Sequence, residues 1–437
     1  MNEPTDSRHN QVPGEHKVFS REYLVPFVLV TALFFFWGIP NNLNDVLIKQ
    51  FMKSFEMSRF KAGLLQSAFY MGYFLLSMPA ALIMRKYSYK VGLVTGLLLY
   101  SAGTMLFVPA ALAWQYGFFL FALFVIASGL AFLETGANSY IAQLGDPASS
   151  ERRLNFSQAF NPFGAISGAL IGTVFIFSGI ELKPEQIEKL KVAGTYQKYL
   201  HDETLRVIPP YVVLGCVVFI WALLMARTKF PKVAGEGAQE SAGDKGRFKD
   251  LFQHRHFILA VVAQFFYVGA QVGTWSYFIQ YVQQYTGEKE KVAGYVLVGT
   301  LSAFLVGRFS ATVIMKYIQP RVLMGIYAVV NVLLVGVAVT APGWIGVWAI
   351  FVSSFFMSLM FPTIFALGLK ELGPNTKLGG SMIIMAIIGG AIVPPLMGLV
   401  SDATKSMALG MTLPLLCYVF IAYYGFVGSK VRVRTAQ

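Results

Sequence analysis

Residues 63–100 read GLLQSAFYMGYFLLSMPAALIMRKYSYKVGLVTGLLLY. The apolar run 63–84 is long enough, as a helix, to cross about 30 Å of hydrocarbon. It ends at a short basic cluster, 85–90, and a second apolar run begins at once. The alternation continues in both directions. Runs of about 18 or more apolar residues recur along the whole 437-residue chain, which is 56% hydrophobic and only 13% charged. An ordinary soluble protein is roughly a quarter charged. The pattern predicts an all-α polytopic membrane protein, because backbone groups in lipid must be satisfied within each helix.

Dividing the chain at charged and turn-rich breaks gives twelve spans: 22–48, 61–84, 90–112, 116–142, 154–178, 208–227, 256–284, 292–317, 321–340, 343–370, 377–401 and 408–428. With both termini cytoplasmic, the inner connections hold 22 Lys and Arg and the outer ones 12, Arg308 remaining inside a span. That asymmetry favours this orientation. The polar, basic stretch TKFPKVAGEGAQESAGDKGRFKDLFQ, 228–253, separates six spans from six. The expected organisation is a cytoplasmic tail 1–21, a six-helix half 22–227, a cytoplasmic linker 228–255, a second half 256–428 and a tail 429–437. An echo supports duplication: Ile83-Met84-Arg85-Lys86-Tyr87 closes the second span, and Ile314-Met315-Lys316-Tyr317 closes the eighth. Two repeated halves with a substrate site between them near the midplane is a transporter architecture.

The net charge of +13 does not indicate nucleic acid, since the basic residues sit mainly between apolar runs. Only Cys216 and Cys417 are present, both within apolar runs, so neither a disulfide framework nor a zinc site is expected. All five histidines lie outside the runs or at their edges, and residues 1–20 lack the apolar core of a signal peptide. No nucleophile–base pair, phosphate loop or cofactor motif stands out, so the chain is read as a transporter and not an enzyme, without cofactor or metal.

Nearly all acidic residues fall in connections; Asp45 and Glu134 do not. A carboxylate at membrane depth costs at least ~2.5 kcal/mol, so it tends to face a cavity and carry function. Low dielectric favours the neutral form of a carboxyl, which suits it to bind and release a proton. Asp45 could otherwise cap the outer end of its helix, and Glu134 could be a structural carboxyl. Their neighbours favour function. Trp37, Asn41, Asn44 and Asp45 share one helix face, Glu134 and Asn138 another, and Gln158 and Asn161 a third. Gln264, Tyr267, Gln271 and Trp275 recur at helical spacing in the seventh span. Each stripe alone is equally compatible with interhelical hydrogen bonding. Together, amides and carboxylates suit hydroxyl groups, while Trp and Tyr suit the apolar face of a pyranose. No Lys or Arg lies deep in a span except Arg308, which is read as a gate residue, as is Asp402. The expected ligand is a neutral sugar, with a cationic solute second. The rivals are a drug:proton antiporter and a sugar sensor.

NNLNDVL at 41–47, the 63–100 stretch, LETGAN at 133–138, RLNFSQAFNPFGA at 153–165, AQFFYVGAQVGTWSY at 263–277 and FPTIFALGLKELG at 361–373 carry a resemblance. The chain resembles the fucose–galactose–glucose:proton symporter family of the major facilitator superfamily over nearly its whole length. The resemblance implies a twelve-helix fold with alternating access in a bacterial inner membrane, and a monomer. It implies proton coupling through Asp45 and Glu134, with sodium as the alternative cation. It also implies sugar contacts from Gln158, Asn161 and Asn42, with Trp37 and Trp275 beside the sugar. One departure bears on the substrate: before PTIF the fucose symporters have Gln and Tyr, whereas this chain has Met360 and Phe361. The second-span match and the WSY segment make L-fucose the first expectation, and Met360-Phe361, which looks more like the glucose/galactose members, makes galactose or glucose the next, with Phe361 at the sugar.

Overall fold

The structure, a computed structural model, describes residues 24–144, 156–231, 248–315, 317–372 and 375–430. The expected N-terminal tail, most of the linker (232–247), most of the C-terminal tail (431–437) and the start of the 153–165 motif lie outside the described residues.

Among the described residues, twelve helices are long and apolar enough to span a membrane: α1 Leu24–Ser54, α2 Arg59–Met84, α3 Tyr89–Leu112, α4 Tyr116–Ile141, α5 Phe156–Ile176, α6 Tyr196–Arg227, α7 Arg255–Ser276, α8 Glu290–Ile314, α9 Pro320–Thr340, α10 Trp344–Leu369, α11 Gly379–Thr404 and α12 Met407–Gly428. Each falls on one expected run, and the differences at the ends have local causes. The first helix continues to Ser54 rather than stopping near 48, because Gln50, Phe51 and Ser54 are buried. The Phe51 ring packs on Phe119 at 4.6 Å, and the Gln50 amide donates to Glu203. The seventh stops at Ser276 rather than near 284. Tyr277 leaves helical geometry (φ −110°, ψ 5°), and a separate short helix, Phe278–Thr286, follows.

The packing repeats between halves. In the first half α1 packs on α5, α2 on α4, and α3 on α4 and α6; in the second, α7 packs on α11, α8 on α10, and α9 on α10 and α12. Each pair recurs six helices later, so the duplication suggested by a few residues is a property of the whole fold. The halves meet where α2 packs on α11 and α5 on α8. Helices α1, α4 and α7 are buried over more than half of their length, α6 and α8 over about a third. Exposed side chains on the outer helices, including Leu82, Ile220, Val306, Leu333 and Leu416, form an apolar surface suited to lipid.

Two sequence features set the α1–α5 contact. Gly164, Gly168 and Gly172 recur every fourth residue on α5. A Cβ at Gly164 or Gly168 would collide with the Phe35 or Ile39 carbonyl of α1, so only glycine permits this approach. Pro40 within α1 cannot donate to the Phe36 carbonyl four residues earlier. The Tyr100 hydroxyl of α3 donates to that oxygen instead, at 3.0 Å.

Candidate substrate and proton site between the halves

The helical turn after Pro40 carries Asn41, Asn42, Asn44 and Asp45. Since α1 runs on to Ser54, Asp45 does not cap its helix but lies two turns inside it. Its side chain is buried and receives three donors: Asn42 Nδ2 at 3.0 Å on one oxygen, and Gln66 Nε2 at 3.0 Å and Ser276 Oγ at 2.9 Å on the other. Gln66 comes from α2 and Ser276 from the last residue of α7. The carboxylate is thus held by both halves at once. The Asn44 amide is fully buried and none of the described residues hydrogen-bonds it.

Glu134, on α4, is buried in a different way. Among the described residues none donates a hydrogen bond to its carboxyl, although its backbone carbonyl accepts from Asn138 Nδ2 at 2.9 Å. Asn138 Oδ1 in turn accepts from Gln158 Nε2 at 3.0 Å, joining α4 to the start of α5. Asn161 Nδ2 reaches back to the Phe34 carbonyl of α1 at 3.4 Å. The structure therefore brings Glu134, Asn138 and Gln158 into one chain of contacts, with Asn161 beside α1. Tyr70 of α2 is within electrostatic reach of both Asp45 and Glu134. Trp37 and Asn41 are half-buried, Trp37 packing on Phe34 with ring centroids 5.9 Å apart.

The second half supplies an aromatic wall. Trp275 donates its Nε1–H to Ser354 Oγ at 3.1 Å and meets Phe304 edge-on at 5.1 Å. The Arg308 guanidinium lies 5.1 Å from the Phe304 ring centroid, and Tyr267 meets Phe361 at 6.3 Å. Gln264 and Tyr267 are fully buried, yet neither the Gln264 amide nor the Tyr267 hydroxyl has a hydrogen-bond partner among the described residues. Gln271 is half-buried. Buried polar atoms of this kind are costly unless water or a ligand meets them. Among these contacts, the pair Ser276–Asp45 and Ser276–Gln66 joins the two halves.

A family model described as Major Facilitator Superfamily matches residues 27–379. The chain belongs to the Major Facilitator Superfamily. It is 41% identical over 422 residues to the L-fucose-proton symporter of Escherichia coli (strain K12), covering 95% of each chain. It is 34% identical over 412 residues to the glucose/galactose transporter of Brucella abortus (strain 2308), covering 94% of this chain and 95% of that one. The crystal structure of the superfamily transporter FucP in the outward conformation superposes with TM-score 0.70 at 40% identity, covering 94% of this chain and 100% of that one. The chain is a transporter, not an enzyme.

As in an alternating-access member of the Major Facilitator Superfamily, one end of the interface is closed. It is the end at which α1 finishes and α2 and α8 begin. Lys53 of α1 pairs with Glu203 at 3.2 Å in its own half and with Glu290 of α8 at 3.4 Å across the interface. The Asp402 carboxylate of α11 accepts from the Arg59 and Phe60 N–H groups at 3.2 and 2.9 Å, capping the start of α2 across the halves. Arg59 Nη2 donates to Gln284 Oε1 at 3.0 Å, and Gln283 to Glu181. Ser67 Oγ donates at 2.5 Å to the Ala391 carbonyl, which Pro395 leaves without its helical donor. A cavity of about 640 Å³ lies among Lys49, Lys53, Arg59, Glu181, Gln280 and Glu290. Asp402 thus lies at this closed end. Arg308 stands over Phe304 in the aromatic wall, next to Tyr267.

Sequence reasoning missed Gln66 and Ser276. Gln66 is the only amide in the second apolar run, and that isolation was a usable signal. Ser276 had none, since serine is common in membrane helices.

Proposed function

We propose that this transporter imports a neutral hexose together with a proton, by rocking of the two halves about a site between them. The observation that carries the reading is the pair of buried carboxyls in the first half, Asp45 and Glu134, with Asp45 held by amides of its own half and by Ser276 of the other. The names of the relatives, an L-fucose-proton symporter and a glucose/galactose transporter, agree with it. Asp45 and Glu134 take up the proton; Asn41, Asn42, Asn138, Gln158, Asn161, Gln264, Tyr267 and Gln271 meet the hydroxyl groups; Trp37, Trp275 and Phe361 pack on the ring. The protonated carrier binds sugar from outside, the halves rock, and proton and sugar leave inward. A site with equal sugar affinity whether protonated or not would couple nothing, so the two affinities are linked.

L-Fucose is the first candidate sugar. Against it, Met360 and Phe361 lack the amide and hydroxyl of the fucose symporters; this favours galactose or glucose. The excess of Lys and Arg on one side supports cytoplasmic termini and a cytoplasmic linker at 228–255, so the closed end is the outer one; the bacterial relatives support a bacterial inner membrane. The protein works as a monomer.

The test uses proteoliposomes in weakly buffered, sodium-free medium with a pH electrode. L-Fucose is added, then galactose and glucose. Alkalinisation of the medium on one sugar identifies substrate and cation together. Uptake only when sodium is supplied would overturn proton coupling and leave the sugar reading standing.

A further inference from the structure

Closure of the interface leaves a second space for a ligand, at the shut end itself. The cavity there, about 640 Å³, falls within the range of about 300–1,000 Å³ usual for small-molecule sites. Both halves build it. Lys49, Lys53, Arg59 and Glu181 come from the first half, Gln280 and Glu290 from the second, so the full set meets only while the end is shut. Glu56, Glu181 and Gln284 at its rim are exposed, which leaves the cavity open to solvent. Several polar groups in its wall are unmatched. Gln280 is buried, yet its Oε1 accepts no hydrogen bond among the described residues, and its Nε2 has only the Met52 sulfur, at 3.5 Å. Glu290 is fully buried and pairs with Lys53 through Oε1, but its Oε2 and Arg59 Nε have no partner among the described residues. Lys49 is within electrostatic reach of Glu290 and Glu181 but hydrogen-bonded to neither.

Buried donors and acceptors left in this way are costly, and a ligand that meets both kinds recovers the loss. The charges select its class. Three cations, Lys49, Lys53 and Arg59, and three carboxylates, Glu56, Glu181 and Glu290, line the cavity, so an anion and a cation each meet like charge. A hydroxyl group both donates and accepts, and Met52, Ile187 and Leu200 supply apolar wall for the C–H faces of a ring. We propose that this cavity is a second saccharide site, formed by closure and separate from the site between the halves. Its ligand is a neutral hexose of the class the transporter carries, so the inference rests on the sugar reading above. A ligand that binds only the shut arrangement stabilises it by a factor of about two at a concentration equal to Kd, and about eleven at ten times Kd. With the closed end outside, high external sugar holds the carrier facing inward and slows import.

The test places one thiol in the cavity wall. Ile187→Cys is made in a full-length protein lacking Cys216 and Cys417 and reacted in detergent with a water-soluble maleimide. L-Fucose, galactose or glucose is added up to about 100 mM, a hundredfold above a millimolar Kd. One of these sugars should slow the reaction, about tenfold at ten times its half-protecting concentration. Val192→Cys, at a position 82% exposed, should not respond. Gln280→Leu, or Lys49→Gln where the first variant does not fold, should lose the protection while sugar counterflow persists. In proteoliposomes, initial uptake should fall again at high external sugar in the parent but not in these variants. The inference is overturned by any of four results: no protection by the three sugars, protection by inorganic phosphate instead, protection unchanged in the variants, or parental uptake that only rises to a plateau. Failure of the import reading would appear separately, as absent uptake and an unmoved pH electrode while protection persists.

Discussion

Asp45 and Glu134 are both buried carboxyls, but they are held differently, and substitution should separate them. The Glu134 carboxyl receives no hydrogen bond among the described residues, whereas its backbone carbonyl does. Glu134→Gln keeps the shape and removes only the titrating group, so proton uptake should vanish while sugar counterflow persists. Loss of sugar binding as well would make Glu134 a substrate ligand alone. Lys53 offers a second test. Its two ion pairs leave it 15% exposed and its partners 5% and 1%. Lys53→Met strands Glu203 and Glu290 as buried charges, a loss of about 3–5 kcal/mol. The thermal transition in detergent should fall, and adding Glu203→Gln and Glu290→Gln should recover part of it. Both membrane carboxylates stood out in the sequence because a charge in an apolar run is costly. The Lys53 cluster did not: Glu203 and Glu290 are 87 residues apart, and only folding shows that one lysine serves both.

At the scale of elements, glycine and proline decide how closely the helices approach. Gly168→Val would drive a branched side chain into the Ile39 carbonyl, whereas Gly117 has open space around its missing Cβ. The first should abolish a monodisperse peak on size exclusion, and Gly117→Ala should leave it unchanged. Tyr100→Phe removes the donor that serves the carbonyl freed by Pro40, at a cost of about 1–3 kcal/mol. Pro40→Ala in the same chain restores a backbone donor and should recover most of that loss; equal destabilisation in single and double variants would show that Tyr100 acts by packing alone. The twelve runs were legible because a hydrophobic span is long and uniform. Their ends were not. The extension of α1 depends on Gln50 meeting Glu203, and the break after Ser276 depends on tertiary contacts of Tyr277, whose hydroxyl is bound to the Arg59 carbonyl.

For the molecule as a whole, the question is what keeps one end of the interface shut, and Asp402 gives the cleanest answer to test. Helix α2 begins with unpaired N–H groups and a partial positive charge. Asp402 meets two of them from the opposite half, so its cap exists only while the end is closed. The helix keeps its own cap when the halves part, because Ser58 Oγ accepts from the Lys61 N–H at 3.3 Å. Losing a cap costs about 0.5–2 kcal/mol, so Asp402→Ala should shift the closed-to-open ratio roughly twofold to thirtyfold without melting α2. Spin labels on exposed Lys61 and on exposed Lys405 should report a larger long-distance population in Asp402→Ala, at an unchanged thermal transition. An unchanged distance distribution would mean that Lys53, Ser67 and Ser276 hold the end closed without help. A collapse of the thermal transition would instead make Asp402 part of the fold rather than of its movement.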